Sequence, residues 1–137
     1  MFVSPNQTQI KYKKTRKGKL KKLSYKPNYL NFGTFGLKAL EPGILNGKQI
    51  EAARRAITRK IKRKGKVWIR VFPNIPVTKK PTGSRMGKGK GSVSHWITKI
   101  KGGSILFEIC GGINFYSNLE ALKAASHKLP IKTEILR

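Results

Sequence analysis

Along GKQIEAARRAITRKIKRK (47–64), Ile50, Ala53, Ile57 and Ile61 recur at intervals of three and four. That period places them on one side of a helix. Asn46 with Gln49 three residues on has the form of a capping box, and Gly65 offers a stop, so a helix is predicted over 47–64. A second amphipathic segment, 118–129, carries Leu119, Leu122, Ala125 and Leu129 on one side. Ser117 with Glu120 reads as its capping box, and Pro130 ends it. Strand signals lie between and around these helices. VWIRVF (67–72) is β-branched and aromatic, with Val67, Ile69 and Val71 on one face. SVSHWITKI (92–100) and SILFEIC (104–110) flank Lys101-Gly102-Gly103 and read as a β-hairpin. IKTEIL (131–136) supplies a last strand, and 28–45 reads as short strands and turns around Gly33, Gly36 and Pro42-Gly43. The stretch 73–91, with prolines and glycines throughout, is a long loop, and loops of that length are usually functional or disordered. The pattern is that of two helices among several short strands, one adjacent pair of which reads as a hairpin.

Composition changes the picture at the N-terminus. Residues 1–27 are polar and basic without one acidic residue, and such a block stays extended until a partner neutralises it. The organisation expected is therefore a basic N-terminal arm (1–27) and a single domain (28–137) carrying a Gly/Lys loop at 76–92. Over the whole chain of 137 residues, 31 Lys+Arg face five Glu and no Asp, a formal net charge of +26. Self-repulsion at that density opposes compaction, so a polyanion is expected in the native state. No apolar run approaches the roughly 20 residues of a spanning helix, so nucleic acid is favoured over a membrane. The first residues lack a signal-peptide core and an Arg-rich amphipathic presequence, and the protein is expected to work in the compartment where it is made.

Candidate chemistry narrows the class further. Five scattered glutamates give no carboxylate pair for acid–base work. His95, His127 and Cys110 do not have metal-ligand spacing, and Cys110 reads as a small core residue. The glycine loop RMGKGKGS (85–92) matches neither phosphate-binding fingerprint. Gly87-Lys88 is followed by glycine, not Ser or Thr, and the two-and-two spacing of Gly87, Gly89 and Gly91 leads into a strand. No enzyme, cofactor, metal or small-molecule substrate is expected.

For nucleic acid the ingredients are present in three places. Glycines let a backbone approach a phosphate while Arg85, Lys88 and Lys90 supply charge; a solvated flexible linker is the plain alternative. Arg54, Arg55, Arg59, Lys62 and Arg63 line the 47–64 helix, where a merely soluble face would intersperse opposite charges. Lys11, Lys13, Lys14, Arg16, Lys17, Lys19, Lys21 and Lys22 fill the arm. No DNA-reading motif and no aromatic RNP motif occurs, so a folded RNA read by shape and phosphate position is the expected partner.

QIEAARRAITRKIKRKGKVWIRVFP (49–73), PVTKKPTGSRMGKGKGS (76–92) and HKLPIKT (127–133) resemble the signature blocks of the bacterial-type ribosomal large-subunit protein sixteen family. NFGTFGLKALEPG (31–43) and GSILFEICG (103–111) fit the same family in order and spacing. The resemblance implies an α+β fold, an antiparallel sheet with two helices of the alpha/beta-hammerhead type plus a basic extended N-terminal arm, and a structural, non-catalytic place in the large ribosomal subunit. It implies binding to large-subunit rRNA near the peptidyl transferase centre, with neighbouring ribosomal proteins and A-site tRNA as further partners. Arg85, Met86, Gly87, Lys88, Gly89, Lys90 and Gly91 correspond to the family's loop toward that centre and the tRNA. The arm and helix cations are the residues expected to bind the rRNA. GGINFYSNLE (111–120) departs from the family's acidic, Pro-bearing turn before the last helix. The Ser-Asn start and His-Lys-Leu end of that helix look like mitochondrial members. With lysine outnumbering arginine 23 to 8, this points to an organelle-encoded mitochondrial protein; plastid and bacterial cytoplasm are the alternatives.

Overall fold

The computed structural model describes residues 14–20, 29–87, 89–111 and 114–137. Its elements follow in the order β1 (Phe35–Ala39), β2 (Gly43–Asn46), α1 (Gly47–Lys60), β3 (Lys66–Ile69), β4 (Ile75–Lys79), β5 (Ser92–Ile100), β6 (Ile105–Cys110), α2 (Phe115–Ser126) and β7 (Thr133–Leu136). The strands form two antiparallel sheets, ordered β3-β6-β1-β7 and β2-β5-β4. The α+β class with two helices stands as the resemblance implied, its antiparallel strands divided between two sheets.

Helix α1 forms where the period placed it. Ile50, Ala53, Ile57 and Ile61 are all fully buried, and they pack with Ala121, Leu122 and Ala125 of α2 in one core. Each such isoleucine contributes about 1.5–3 kcal/mol by leaving water. Asn46 and Gln49 close the expected capping box, the Gln49 side chain accepting from the Asn46 amide at 2.8 Å. The stop differs from the expected one. The helix ends at Lys60, with Lys62 and Arg63 both in the left-handed region (φ 50° and 61°), before Gly65 is reached. The Arg63 amide donates to the Thr58 carbonyl (3.2 Å) and the Lys62 amide to Arg59 (3.3 Å). That is a Schellman turn with lysine where glycine usually sits.

Three further expectations are corrected. The 92–100 and 104–110 strands do not pair with each other: β5 pairs with β2 and β4, and β6 with β1 and β3. Residues 101–104 carry the chain from one sheet to the other, the Gly103 amide donating to the Ala39 carbonyl. The observed hairpin is β4–β5. It takes residues 75–79 out of the predicted loop, so the Gly/Lys loop is its tip, 80–91. Pro76 is tolerated in β4 because β4 is an edge strand with no ladder to serve on its free side. Helix α2 begins at Phe115, three residues before the predicted start, because Asn114 is its cap and Ser117 the partner. The Asn114 amide donates to Ser117 Oγ, which donates back to the Asn114 carbonyl (3.2 and 2.6 Å). Phe115 then packs edge-on against Phe35. Strand β3 ends at Ile69, short of the predicted 72, but Val67, Ile69 and Val71 do turn to the core together.

β6 is the hub of the larger sheet. Alternation sends Phe107 and Ile109 toward the helices, while Glu108, equally buried, points to the other face. There its Oε2 accepts from the amides of Asn31, Phe32 and Gly33 at 3.1, 2.7 and 2.9 Å, and its Oε1 accepts from Arg70. A buried carboxylate thus fixes residues 31–33 across the outer face of the sheet. Burial pushes its pKa upward, but the Phe32 and Gly33 amides and the Arg70 guanidinium outweigh burial, and the net shift is downward. Cys110, expected in the core, is a half-buried free thiol at the end of β6.

Candidate nucleic-acid interface

The hairpin tip owes its shape to its glycines. Gly87 and Gly89 hold positive φ (89° and 74°) with open space around them, so the backbone conformation, not crowding, requires glycine there. Gly91 is different: a Cβ would lie 2.5 Å from the Lys79 carbonyl oxygen across the stem, closer than atoms can approach. The tip is therefore a narrow ribbon, with Arg85 and Met86 fully in solvent, Met86 at 92% exposure.

The arm comes to this tip. Lys14 Nζ donates to the Lys90 carbonyl (3.0 Å), and Lys90 Nζ donates to the Thr15 carbonyl (2.7 Å). Gly18 lies so close to Lys99 of β5 that a Cβ would meet its Nζ at 3.0 Å. The arm thus meets the tip at Lys90 and β5 at Lys99, joining two basic segments that the sequence presented as separate. The glutamates are all engaged elsewhere: with Lys38, with Arg54 and Arg55, with Lys60, with Arg70, and with the Lys132 amide. Among the described residues, no ion pair includes a cation of the arm or the loop. Lys11, Lys13, Lys21, Lys22 and Lys88 lie outside the described residues, as does the 112–113 part of the unusual connection.

The helix cations form a second surface. Glu51 accepts from Arg54 through two bonds (2.8 and 2.7 Å) and from Arg55 Nε (3.0 Å). The Arg54 bonds lead in lowering the Glu51 pKa to about 2, against a smaller burial effect, with Arg55 assisting; Arg54 is raised in turn. The carboxylate that reduces the charge of α1 therefore also holds two guanidinium groups in place. Arg55 and Arg59, with Lys48 and Lys128, border an open groove of about 780 Å³ between α1 and β5. Ala52 and Ala56 form its helix side, and Ser94, His95 and Trp96 its strand side. Lys62 and Arg63 project from the turn beyond, both exposed.

Sequence reasoning missed one row of side chains. Lys66 lies over the Trp68 ring at 5.2 Å, Phe32 stacks on Trp68 at 6.0 Å, and Arg70 lies over Phe32 at 5.2 Å. Phe32 remains 54% exposed, so this row offers cations and aromatic rings to a partner at the surface. The alternation Lys66, Trp68, Arg70 was legible as the outward face of a strand. Phe32 was not, because Glu108 brings it there from 76 residues away.

Strong positive charge, a narrow cationic tip and a small α+β body define a basic protein whose surface suits a polyanion. Residues 7–136 match the ribosomal protein L16p/L10e family, and the chain belongs to that family. Membership gives it a structural role in the large ribosomal subunit, in the company of rRNA and other ribosomal proteins. Among the described residues, no helix is long and apolar enough to cross a membrane.

Proposed function

We propose that this protein binds large-subunit rRNA near the peptidyl transferase centre and helps position A-site tRNA, in the large subunit of a mitochondrial ribosome. The observation that carries the reading is the contact of the arm with Lys90 at the hairpin tip, where, among the described residues, no cation is paired with an acidic group. On this reading the 28–137 domain is the anchored body and residues 1–27 the arm, which follows RNA phosphates and is tied to the tip at Lys14 and Lys90. Cations on a glycine backbone fit between phosphates that bulkier chain would not enter. Chemistry at such a centre belongs to RNA, and the protein's contribution is geometry and charge. The lysine-rich composition and the family resemblance of the last helix support the mitochondrial assignment.

Two experiments test this. Sucrose gradients of lysed, purified mitochondria should show the protein sedimenting with the large subunit and staying there through a high-salt wash. Recovery as free protein would indicate a nucleic-acid chaperone instead. Arg85→Ala with Lys88→Ala should then weaken A-site tRNA binding by about tenfold while leaving subunit assembly near normal, the loss of two charge-assisted contacts. These two positions are preferred to Lys90, whose side chain also holds Thr15 of the arm. A variant that blocks assembly and leaves tRNA binding normal would refute the tRNA role.

A further inference from the structure

We infer that the groove between α1 and β5 is a pocket for an unpaired nucleotide of the RNA, its base against Trp96 and its phosphate among Arg55, Arg59 and Lys128. This rests on the reading of the chain as an rRNA-binding protein. The volume, about 780 Å³, lies within the range of roughly 300–1,000 Å³ that holds single small molecules. It admits a nucleotide or two and not an RNA helix. The space exists because Ala52 and Ala56, four residues apart on α1, leave the helix side low.

Charge sets the ligand class. Four cations border the groove against one carboxylate, Glu51, whose bonds go to Arg54 and Arg55 and which orients Arg55. The first turn of α1 opens onto the groove at Asn46–Lys48 and contains no acidic residue, so the positive end of the helix dipole adds to the same field. An aromatic wall facing such a field is the arrangement that holds an unstacked base by its face and its phosphate by charge. A duplex keeps its bases stacked and offers only phosphates. The groove should therefore separate single-stranded from double-stranded RNA, whereas the arm and tip should not.

The test uses the full chain with Trp68→Phe, so that Trp96 is the sole tryptophan reporter. Pentaadenylate and a blunt RNA duplex are the probes. Pentaadenylate should quench Trp96 and the duplex should not. Ala56→Leu, which fills the groove without changing charge and with little loss of helix propensity, should weaken pentaadenylate binding about tenfold and leave duplex affinity unchanged. Ala52→Leu, at an exposed position, should act the same way without burdening the core. If pentaadenylate binds but Trp96 is silent and both leucine variants bind normally, the groove is not the site, while the rRNA reading survives. Equal quenching by the duplex would also overturn the inference. If neither RNA binds the parent chain, the rRNA-binding reading itself fails.

Discussion

Glu108 shows how far one residue can reach. It is the fully buried carboxylate of the described chain, and its two oxygens serve different partners: Oε2 takes three backbone amides and Oε1 takes Arg70. In Glu108→Gln, the new amide carbonyl can face the backbone amides. The NH₂ must then face the guanidinium, donor against donor. Breaking a buried pair on one side costs about 3–5 kcal/mol, and urea denaturation of the variant should show a loss of about 3 kcal/mol. The pH dependence has a definite sign. The Glu108 pKa is lowered in the folded state, so its contribution is complete above the unfolded glutamate value of about 4.3 and is lost as pH falls through the lower folded value. The difference in stability between wild type and variant should shrink below pH 4. A constant difference down to acid unfolding would assign the stabilisation to packing and not to the charge.

At the scale of elements, the end of α1 is the informative case. Its Schellman turn has Lys62 at the position where glycine is usual, and Arg63 follows in the same left-handed region. Left-handed backbone costs a residue with a side chain about 1–2 kcal/mol. Strain of this kind is kept where the side chains serve something else, and both side chains here are exposed cations. Lys62→Gly should stabilise the isolated protein by about 1 kcal/mol, read as a higher urea midpoint. The same variant should bind RNA more weakly, with its log–log salt slope reduced by about 0.7–0.9 if Lys62 neutralises one phosphate. Higher stability with unchanged binding would leave the strain without a functional account. The hairpin β4–β5 gives the complementary lesson. Its tip keeps Gly87 and Gly89 for their backbone angles and Gly91 for the closeness of the stem, so the same residue type is required there for two different physical reasons.

For the whole molecule, charge dominates. The net charge is +26, and the five glutamates bond to cations and an amide of the domain, so that, among the described residues, no ion pair offsets a cation of the arm or the tip. Binding of the full chain to its rRNA region should fall by about 10³–10⁵ between 50 and 200 mM salt, as for roughly six to ten neutralised phosphates. Filter binding across that range measures it. A nearly flat curve would mean that the described cations face neighbouring proteins or solvent.

The one-dimensional pattern determined what local physics can encode. Ile50, Ala53, Ile57 and Ile61 specify a buried helix face because the period of a helix is a property of neighbours along the chain, and the Asn46–Gln49 cap works over three residues. The excess of lysine and arginine determined the sign of the surface in the same direct way. Strand partnership was not legible in those terms. β5 and β6, a few residues apart, separate into different sheets, β5 between β2 and β4 and β6 between β1 and β3, and a choice among several possible partners is settled only in three dimensions. The same holds for the contacts that assemble the candidate interface: Glu108 with 31–33, Lys90 with Thr15, Trp96 opposite Ala56. Each joins segments far apart in sequence, and only the closed fold brings their charges and rings within reach.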